Sequence, residues 1–373
     1  MAVQRPTPRF VGVTSPTARR AGAGGAPCQE LYWTTGNPRP PVAVIANHYN
    51  VDFAEHYLAP YLAARGLGFL GWNTRYRGAE DLFILEHALI DIGAGIRWLK
   101  AEAGAEKIIL LGNSGGGSLM AAYQAAAGGD RFWKDLGSRT TAALEDLISG
   151  DLYVSLNAHP GRPEVLTAWM DPSVTDETDP TSRDPDLDPF EPRNGPPYSP
   201  AFITRYRDAQ RERNQRITGW ARDELSRLQA AGIPDRVFPL FRVWADLRFM
   251  DGAIDPSARV CPGCYAGDPA TANRSPVGIG RANTLNTWLS MWSLETSACK
   301  GAERLARVPL PSLVVQSLAD QGVFPSDARA IYGALAAEDK SLEFVPGRHY
   351  FEDDEPARER LADLVANWIL ARV

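Results

Sequence analysis

The sequence predicts an α/β protein with a mostly parallel, doubly wound sheet and a large, mainly helical insertion. Short apolar runs alternate with helical patterns at 41–127 and again from residue 311 onward, which is the rhythm of parallel strands joined by crossover helices. Between these regions the chain changes to a proline-rich stretch followed by long helical patterns. We therefore expect one core, formed by residues 1–157 and 307–373, that is interrupted by an insertion of residues 158–306.

Predicted strands are apolar runs without alternation, a pattern typical of strands that are buried on both faces of a sheet. They cover residues 41–46, 66–72, 107–111, 151–156, 311–317 and 342–345. Apolar residues at steps of three and four predict helices. In the core these helices cover residues 82–99, 326–335 and 361–369.

The insertion has its own pattern. Eight prolines between residues 172 and 200 exclude regular structure from that segment. A long polar helix is predicted over 201–231. A second helix is predicted from Pro234, carrying Phe241, Trp244 and Leu247, and a third covers 285–292.

Composition excludes several classes of protein. Hydrophobic residues make up 44% and charged residues 23% of the 373-residue chain, as in soluble globular proteins. The net charge of -6 argues against a nucleic-acid partner, which needs a basic surface, and no apolar run approaches a membrane span. The first thirty residues contain arginines and prolines but lack the continuous apolar stretch of a signal peptide, so a cytoplasmic location is the default expectation.

Four cysteines are too few and too scattered for a disulfide framework. Cys261 and Cys264 form a Cys-Pro-Gly-Cys pair, but the second pair that a closed zinc site needs is missing. Because the pair lies among turn-forming residues, a loop is the favoured interpretation and a metal or redox site the alternative.

One motif carries the chemistry. The predicted strand 107–111 runs into Gly112-Asn113-Ser114-Gly115-Gly116, and a helix-forming stretch follows. This is G-x-S-x-G between a strand and a helix, where the sharp turn exposes the serine and residues two positions away must be small. The hydroxyl then stands at a helix N-terminus, which favours developing negative charge. A glycine-rich helix start and a phosphate-binding loop are the alternatives, but a phosphate-binding loop has a lysine before its serine or threonine.

At this motif the sequence resembles the α/β-hydrolase superfamily. The resemblance covers roughly residues 41–157 and 307–373, and the insertion falls where that family places its variable cap. It implies a nucleophile, an acid and a base in that chain order, with the acid and the base in loops that follow strands. It implies neither a metal nor an organic cofactor.

Both later members are present in the expected order. Asp320 follows the strand 311–317, and His349 follows the strand 342–345 in a Gly-Arg-His turn. Ser114, Asp320 and His349 are therefore the predicted catalytic triad. The imidazole takes the serine proton, and the carboxylate orients the imidazole and stabilises its charged form. An ordinary turn aspartate and a surface histidine are the alternatives for the last two.

The resemblance also implies an oxyanion hole. Its first donor is the backbone N–H of Gly115, and its second comes from the loop after the first core strand. That loop lacks the family's glycine, so His48, Tyr49 and Asn50 are the candidates, with Tyr49 favoured. His48, Asn50 and His159 are also candidate substrate contacts, with closure of the loop as the alternative for the first.

Other side chains allow two interpretations. Trp244, Trp288 and Trp292 of the insertion are candidates to roof an apolar substrate pocket, and packing among helices is the alternative. Ten tryptophans favour a bulky apolar or aromatic substrate. Arg75 and Arg77 follow the second core strand, and an ion pair with Glu80 or Asp81 is favoured there over recognition of a substrate carboxylate. His56 is predicted on the helix after the first core strand, and His87 within the helix 82–99.

These inferences together predict a serine hydrolase that cleaves a carboxylic ester or lactone of a bulky apolar or aromatic small molecule through an acyl-enzyme. Thioester, amide or carbon–carbon bond hydrolysis and acyl transfer use the same triad and remain alternatives. From another class, a non-catalytic binding module on this fold is the alternative, and it would ignore covalent serine reagents. The sequence leaves a homo-oligomer open.

Overall fold

A computed structural model describes residues 6–17, 28–352 and 354–373. The signal-peptide expectation falls in part on residues 1–5 and 18–27, which lie outside the described residues. In the described part of the chain the strands are β1 Thr7–Val13, β2 Cys28–Thr34, β3 Val42–Asn47, β4 Gly68–Trp72, β5 Lys107–Asn113, β6 Leu152–Leu156, β7 Val237–Pro239, β8 Ala282–Thr284, β9 Ser312–Ser317 and β10 Lys340–Val345.

The helices lie on both sides of the main sheet and in the insertion. They are α1 Ala59–Ala64, α2 Leu85–Ala101, α3 Gly116–Ala127, α4 Ser138–Glu145, α5 Arg162–Trp169, α6 Pro200–Ala230, α7 Pro269–Ala272, α8 Leu285–Thr287, α9 Gly301–Leu305, α10 Pro325–Ala334 and α11 Glu355–Leu370. Two short 3-10 helices, Glu80–Leu82 and Leu247–Phe249, and a π-helix, Trp288–Trp292, complete the helical segments of the described residues. None of these helices is long and apolar enough to cross a bilayer.

The main sheet has eight strands in the order β1-β2-β4-β3-β5-β6-β9-β10. The strands from β4 to β10 in this order are parallel, and the hairpin β1-β2 joins them antiparallel through β2. Along β5, Ile108 and Leu110 pack on one face, while Ile109 and Leu111 pack on the other. Both faces are therefore covered by apolar residues, which explains why these strands are apolar without alternation.

Most predicted elements are confirmed. All six predicted core strands and the long helix α6 are present within two residues of their predicted bounds. The closing helix α11 is also present, but it begins at Glu355, six residues before the predicted start. Residues 171–199 contain neither helix nor strand, as their prolines require. The third helix of the insertion is present over 285–292, although its second half is a π-helix.

The helix predicted from Pro234 is wrong. Its first part forms β7, which pairs with β8, and the following backbone bonds to neighbouring segments instead of to its own preceding turn. The Arg242 carbonyl accepts from Asp171 N–H, and Ala245 N–H donates to the Trp169 carbonyl. Tertiary partners thus replace the helical hydrogen bonds that the apolar spacing suggested. The short elements β1, β2, α4 and α5 were not predicted.

Candidate active site

Five polar residues gather because parallel strands end at one edge of the sheet. The neighbouring strands β3, β5, β6, β9 and β10 end just before the following residues, one per strand. These residues are His48, Ser114, His159, Asp320 and His349. All five are buried, with at most 5% of their surface exposed. The three predicted triad residues thus lie on three strand ends of the same edge.

Ser114 occupies a tight turn between β5 and α3. Its φ of 55° lies in the left-handed region, which a non-glycine residue adopts only when the surroundings impose it. Those surroundings are the end of β6. Ser114 N–H donates to the Leu156 carbonyl at 3.0 Å, and the Ser114 carbonyl accepts from His159 N–H at 3.1 Å. The strained turn is therefore held from the next strand.

Glycines make this turn sterically possible. A Cβ on Gly112 would lie 2.5 Å from the Gly117 Cα, and one on Gly116 would overlap the Asn47 carbonyl oxygen. Both contacts are with backbone, which has no flexible end to move aside. The expectation that small residues must flank the serine at two positions is confirmed at the atomic level.

His349 and Asp320 form a close pair. His349 Nδ1 lies 2.6 Å from Asp320 Oδ2, so the imidazole donates its Nδ1 proton to the carboxylate. The other oxygen, Asp320 Oδ1, accepts backbone N–H bonds from Gly322 at 2.9 Å and Val323 at 3.0 Å. His349 Nε2 is buried without a hydrogen-bond partner. This is the atom that a general base uses to take a proton.

The insertion adds a hydroxyl to this pair. The Tyr265 hydroxyl donates to Asp320 Oδ1 at 2.7 Å, and this hydroxyl oxygen of Tyr265 lies 2.8 Å from His349 Nδ1. Burial, and then the Asp320 charge, raise the pKa of Tyr265 well above its ordinary value, so the phenol stays protonated. Tyr265 has no signal in the sequence, because it precedes its two partners by 55 and 84 residues.

Asn157 fixes the loop that carries His349. It follows β6, and its side-chain amide donates to the His349 carbonyl at 2.7 Å and to Ser317 Oγ at 2.9 Å. Its side-chain oxygen accepts from Ser317 N–H at 2.7 Å. Asn157 is thus a positioning residue that joins the ends of β6, β9 and the loop after β10. A single polar residue at the end of an apolar run was the only sequence signal for it.

The predicted oxyanion donors meet the imidazole of His48. Gly115 N–H points at His48 Nε2 over 3.0 Å, while Asn50 and Val51 N–H point at His48 Nδ1 over 3.1 and 3.0 Å. Asn50 N–H is therefore engaged and is not a free donor. Tyr49, the favoured second donor, stacks its ring on His48 with 4.8 Å between ring centroids.

His48 is a neutral imidazole. Burial above all, and then the charge of Arg162, lower its pKa well below the ordinary value. A neutral imidazole accepts a hydrogen bond at only one nitrogen. Since two N–H groups point at Nδ1 and one at Nε2, the proton belongs on Nε2, because that tautomer satisfies more donors.

A cavity of about 500 Å³ opens over these residues. Several predicted site residues line it: Ser114, His349, His48, Tyr49, Asn50, His159 and Trp244. Asp320 does not line the cavity, but it is hydrogen-bonded to His349, which does. An adjoining cavity of about 520 Å³ shares Tyr49, Asn50 and Trp244 with the first and adds Trp292. Burial, together with Arg162 and two neighbouring imidazoles, lowers the pKa of His159 well below its ordinary value.

Trp288 lies outside both cavities, which corrects its prediction as a substrate contact. It is fully buried, its indole N–H donates to Thr218 at 3.1 Å, and its ring packs on Phe238. It therefore holds α6 to the neighbouring π-helix. The helical spacing predicted a buried face for this segment but did not indicate which tryptophans of that face reach the cavity.

Two further predictions are corrected. Arg75 and Arg77 form ion pairs, as favoured, but with Asp91 and Asp52 instead of Glu80 or Asp81. His56 precedes α1 instead of lying on it, and its Nε2 lies 3.1 Å from the Asn113 side-chain oxygen. His87 lies within α2 as predicted. Cys261 and Cys264 are free cysteines in a loop, and the described residues contain no cluster of three metal-binding side chains.

Arg162 is the most notable residue of the site that sequence analysis missed. It begins α5, is buried to 1% exposure and lines the active-site cavity. A Cβ on Gly115 would lie 2.7 Å from Arg162 Nη1, so the guanidinium is close to the nucleophile turn. A lone arginine after the His-Pro-Gly turn was the only signal in the sequence.

No family model matches the sequence, and no curated protein matches it either. Solved structures do match. The α/β hydrolase GrgF from Penicillium sp. sh18 is 15% identical and superposes with a TM-score of 0.53 over 98% of this chain and 99% of that one. Est1E from Butyrivibrio proteoclasticus is 12% identical, with a TM-score of 0.51 over 97% of this chain and 99% of that one.

The structure of DcsB in complex with its substrate analogue is also similar. It is 12% identical and has a TM-score of 0.52 over 98% of this chain and 99% of that one. These similarities extend over nearly the whole chain, including the insertion. The protein therefore has the α/β-hydrolase fold, as the sequence predicted.

Proposed function

We propose that the protein is a serine hydrolase that cleaves a carboxylic ester or lactone through an acyl-enzyme. One observation carries this proposal. The His349–Asp320 pair leaves His349 Nε2 unpartnered in the same cavity that Ser114 lines from a strained turn. A polar pair that served only the fold would have both imidazole nitrogens bonded.

The mechanism follows from these positions. Ser114 Oγ attacks the ester carbonyl as His349 Nε2 takes its proton, and Asp320 stabilises the imidazolium. The tetrahedral intermediate collapses to an acyl-serine when His349 returns the proton to the leaving alkoxide. Water, deprotonated by the same nitrogen, then attacks the acyl-serine and releases the carboxylic acid. Tyr265 and Asn157 act as positioning residues for the pair.

His48 supplies the second oxyanion donor in this proposal. With the proton on Nε2, His48 N–H and Gly115 N–H are neighbouring donors that face each other, with 3.0 Å between their nitrogens. Two donors this close repel each other, and an oxyanion to one side of the pair, accepting from both, would relieve that repulsion. This assignment replaces Tyr49, whose ring stacks on the imidazole and holds it in place.

The cavity walls favour a bulky apolar or aromatic substrate. Trp169 and Trp244 pack together at one side, with 4.9 Å between ring centroids, and Tyr265 contacts the Trp169 ring. Aromatic walls gain most from burying a large apolar group. Cleavage of a thioester, amide or carbon–carbon bond requires the same triad, so assays with matched substrates decide among these bonds.

The first test is covalent labelling with a fluorophosphonate, read by intact mass. We expect one adduct on the wild type, none on Ser114→Ala and a greatly slowed reaction on His349→Ala. A folded wild-type protein that forms no adduct would contradict the mechanism and favour the binding-module alternative. Phenyl esters and aryl lactones, assayed on the same variants, then test whether the labelled serine turns over.

A further inference from the structure

Arg162 differs from the other buried arginines of the described chain. Four others are at most 8% exposed, and each has oxygen acceptors. Arg213 pairs with Glu177, Arg242 with Asp171, and Arg304 with Asp130, while Arg259 donates to four backbone carbonyls. A buried guanidinium is costly to desolvate unless an acceptor repays that cost, so such partners are the rule.

Among the described residues, Arg162 has neither a carboxylate nor a backbone carbonyl as its acceptor. Its Nε donates to Ser118 Oγ at 3.3 Å, its Nη2 is buried without a partner, and no carboxylate lies within ion-pair distance. Its charge rests on two aromatic faces, with the guanidinium carbon 4.6 Å from the Tyr49 ring centre and 5.9 Å from that of Trp292. These aromatic faces orient the guanidinium group but do not neutralise its charge.

The Trp169 indole N–H, which lines the same cavity, is also buried without an acceptor. Burial raises the pKa of Tyr49 to about 12, and the neighbouring Arg162 guanidinium opposes that rise. The imidazoles of His48 and His159 are neutral, so they add no further positive charge to this wall. At the exposed edge, Arg348 and Glu352 carry opposite charges. The buried wall of the cavity therefore carries the charge of Arg162 and two donors without acceptors, Arg162 Nη2 and the Trp169 indole N–H.

We propose that Arg162 forms an anion subsite, and that the substrate carries a carboxylate a few atoms from the carbonyl that Ser114 attacks. This proposal rests on the proposed function, because the subsite serves a reaction only if Ser114 attacks the bound substrate. A guanidinium fork matches a carboxylate in two parallel hydrogen bonds. The subsite is close to the reacting carbonyl because Arg162 Nη1 approaches Gly115, the neighbour of Ser114. The predicted substrate class narrows to half-esters of dicarboxylic acids with a bulky apolar alcohol.

A matched pair of substrates tests the subsite. The 4-nitrophenyl half-ester of glutaric acid and its isosteric carboxamide differ only in charge, and uncatalysed hydrolysis is subtracted from both rates. We expect the wild type to prefer the acid. Arg162→Gln should lower kcat/KM for the acid about 100-fold and change that for the carboxamide less than about threefold, with Arg162→Lys between. Equal losses on both substrates, or no loss on the acid, would overturn the proposal.

Binding provides a readout that does not need catalysis. On the Ser114→Ala background, calorimetry should detect the half-ester, and free glutarate, succinate or adipate, only while Arg162 is present. Inorganic phosphate is the competing anion. If phosphate binds more tightly than every dicarboxylate, that result would also overturn the carboxylate assignment. If no serine adduct forms but these acids still bind through Arg162, the hydrolase function fails and the anion subsite stands. If the adduct forms and none of the acids binds, the subsite alone fails.

The melting temperature of a variant shows whether Arg162 binds substrate or holds the fold together. Arg162→Gln removes a buried charge without an ion-pair partner, so its Tm should not fall. Arg242→Gln is the matched control, because it removes the partner of buried Asp171 and should lower the Tm. A loss in Arg162→Gln as large as that in the control would mean that Arg162 holds the fold, and would count against the subsite.

Discussion

At the residue scale, the imidazole of His48 connects backbone geometry to the proposed chemistry. Two N–H groups of its own loop hold Nδ1, and Gly115 N–H faces Nε2. The loop after β3 contains no glycine, and at the place that the proposal assigns to the second oxyanion donor it carries the imidazole of His48. The ring of Tyr49 on one side keeps the imidazole in position.

Replacing His48 tests its role as a donor. His48→Ala should lower kcat about 100-fold with little change in KM, because an oxyanion donor acts mainly on the transition state. His48→Gln retains an N–H group near the position of Nε2 and should recover part of that loss. His87→Gln, on α2 and outside the cavity, is the control and should leave both constants unchanged. Steady-state kinetics on a phenyl ester measure all three, and equal losses in the Ala and Gln variants would contradict a donor role.

The triad candidates were predictable because each has a local signal. Ser114 has its glycine-flanked motif, and Asp320 and His349 each follow an apolar run in the expected order. Arg162, Tyr265 and Asn157 have no comparable signal. Their roles arise from contacts such as that of Asn157 with the His349 carbonyl, 192 residues away, which no local pattern encodes. Only the folded structure brings these three residues to the site.

At the element scale, the turn between β5 and α3 depends on a close approach of its own backbone. The first turn of α3 lies against Gly112, and Asn47 at the end of β3 lies against Gly116. The strand, the turn and the helix are therefore one unit, in which the nucleophile conformation is imposed by packing on both sides.

Glycine substitutions measure this constraint. Gly112→Ala should lower the free energy of unfolding by about 3 kcal/mol, since its Cβ meets backbone and overpacking costs of this order are common. Gly219→Ala is the matched control, because Gly219 lies inside α6 and a Cβ there would meet nothing within 4 Å. It should raise the free energy of unfolding by about 1 kcal/mol through helix propensity. Denaturant titrations measure both changes, and a neutral Gly112→Ala would mean that the turn has room to relax.

Elements of the core were easier to predict than those of the insertion. A strand such as β5 is buried on both faces, and its apolar run is unambiguous. The segment after Pro234 has apolar residues at helical spacing, yet its backbone bonds to residues 169, 171 and 281. Local spacing predicts a buried face, but it does not reveal that distant segments compete for the same N–H and C=O groups.

At the scale of the whole molecule, buried histidines couple stability to pH. His48, His56 and His159 are all buried, and burial lowers the pKa of each, to about 3 for His56. Below the ordinary histidine pKa of about 6.5, these imidazoles bind protons in the unfolded chain but stay neutral in the folded chain. Stability is therefore lost as the pH falls from about 6.5 toward 3.

The slope of that loss is a test. Each buried imidazole contributes up to about 1.4 kcal/mol per pH unit to the slope of the unfolding free energy between pH 6 and pH 4.5. His56→Gln should reduce the slope by about this amount, whatever its effect on stability at pH 8. Urea titrations at several pH values give the slope, and His87→Gln, whose pKa is lowered less completely by partial burial, should change it less. An unchanged slope in His56→Gln would show that His56 is protonated in the folded state.

The hydroxyl of Tyr265 has a consequence for protein engineering. It comes from the insertion, yet it bonds to Asp320 and His349 of the core. The insertion is therefore not an interchangeable module. A chimaera that receives the corresponding segment of another protein with this fold would gain a new pocket. It would also lose the hydrogen bond from Tyr265 to its acid–base pair, unless the new segment places a hydroxyl at the same position. Recombination of the two parts has to carry this tyrosine across the junction.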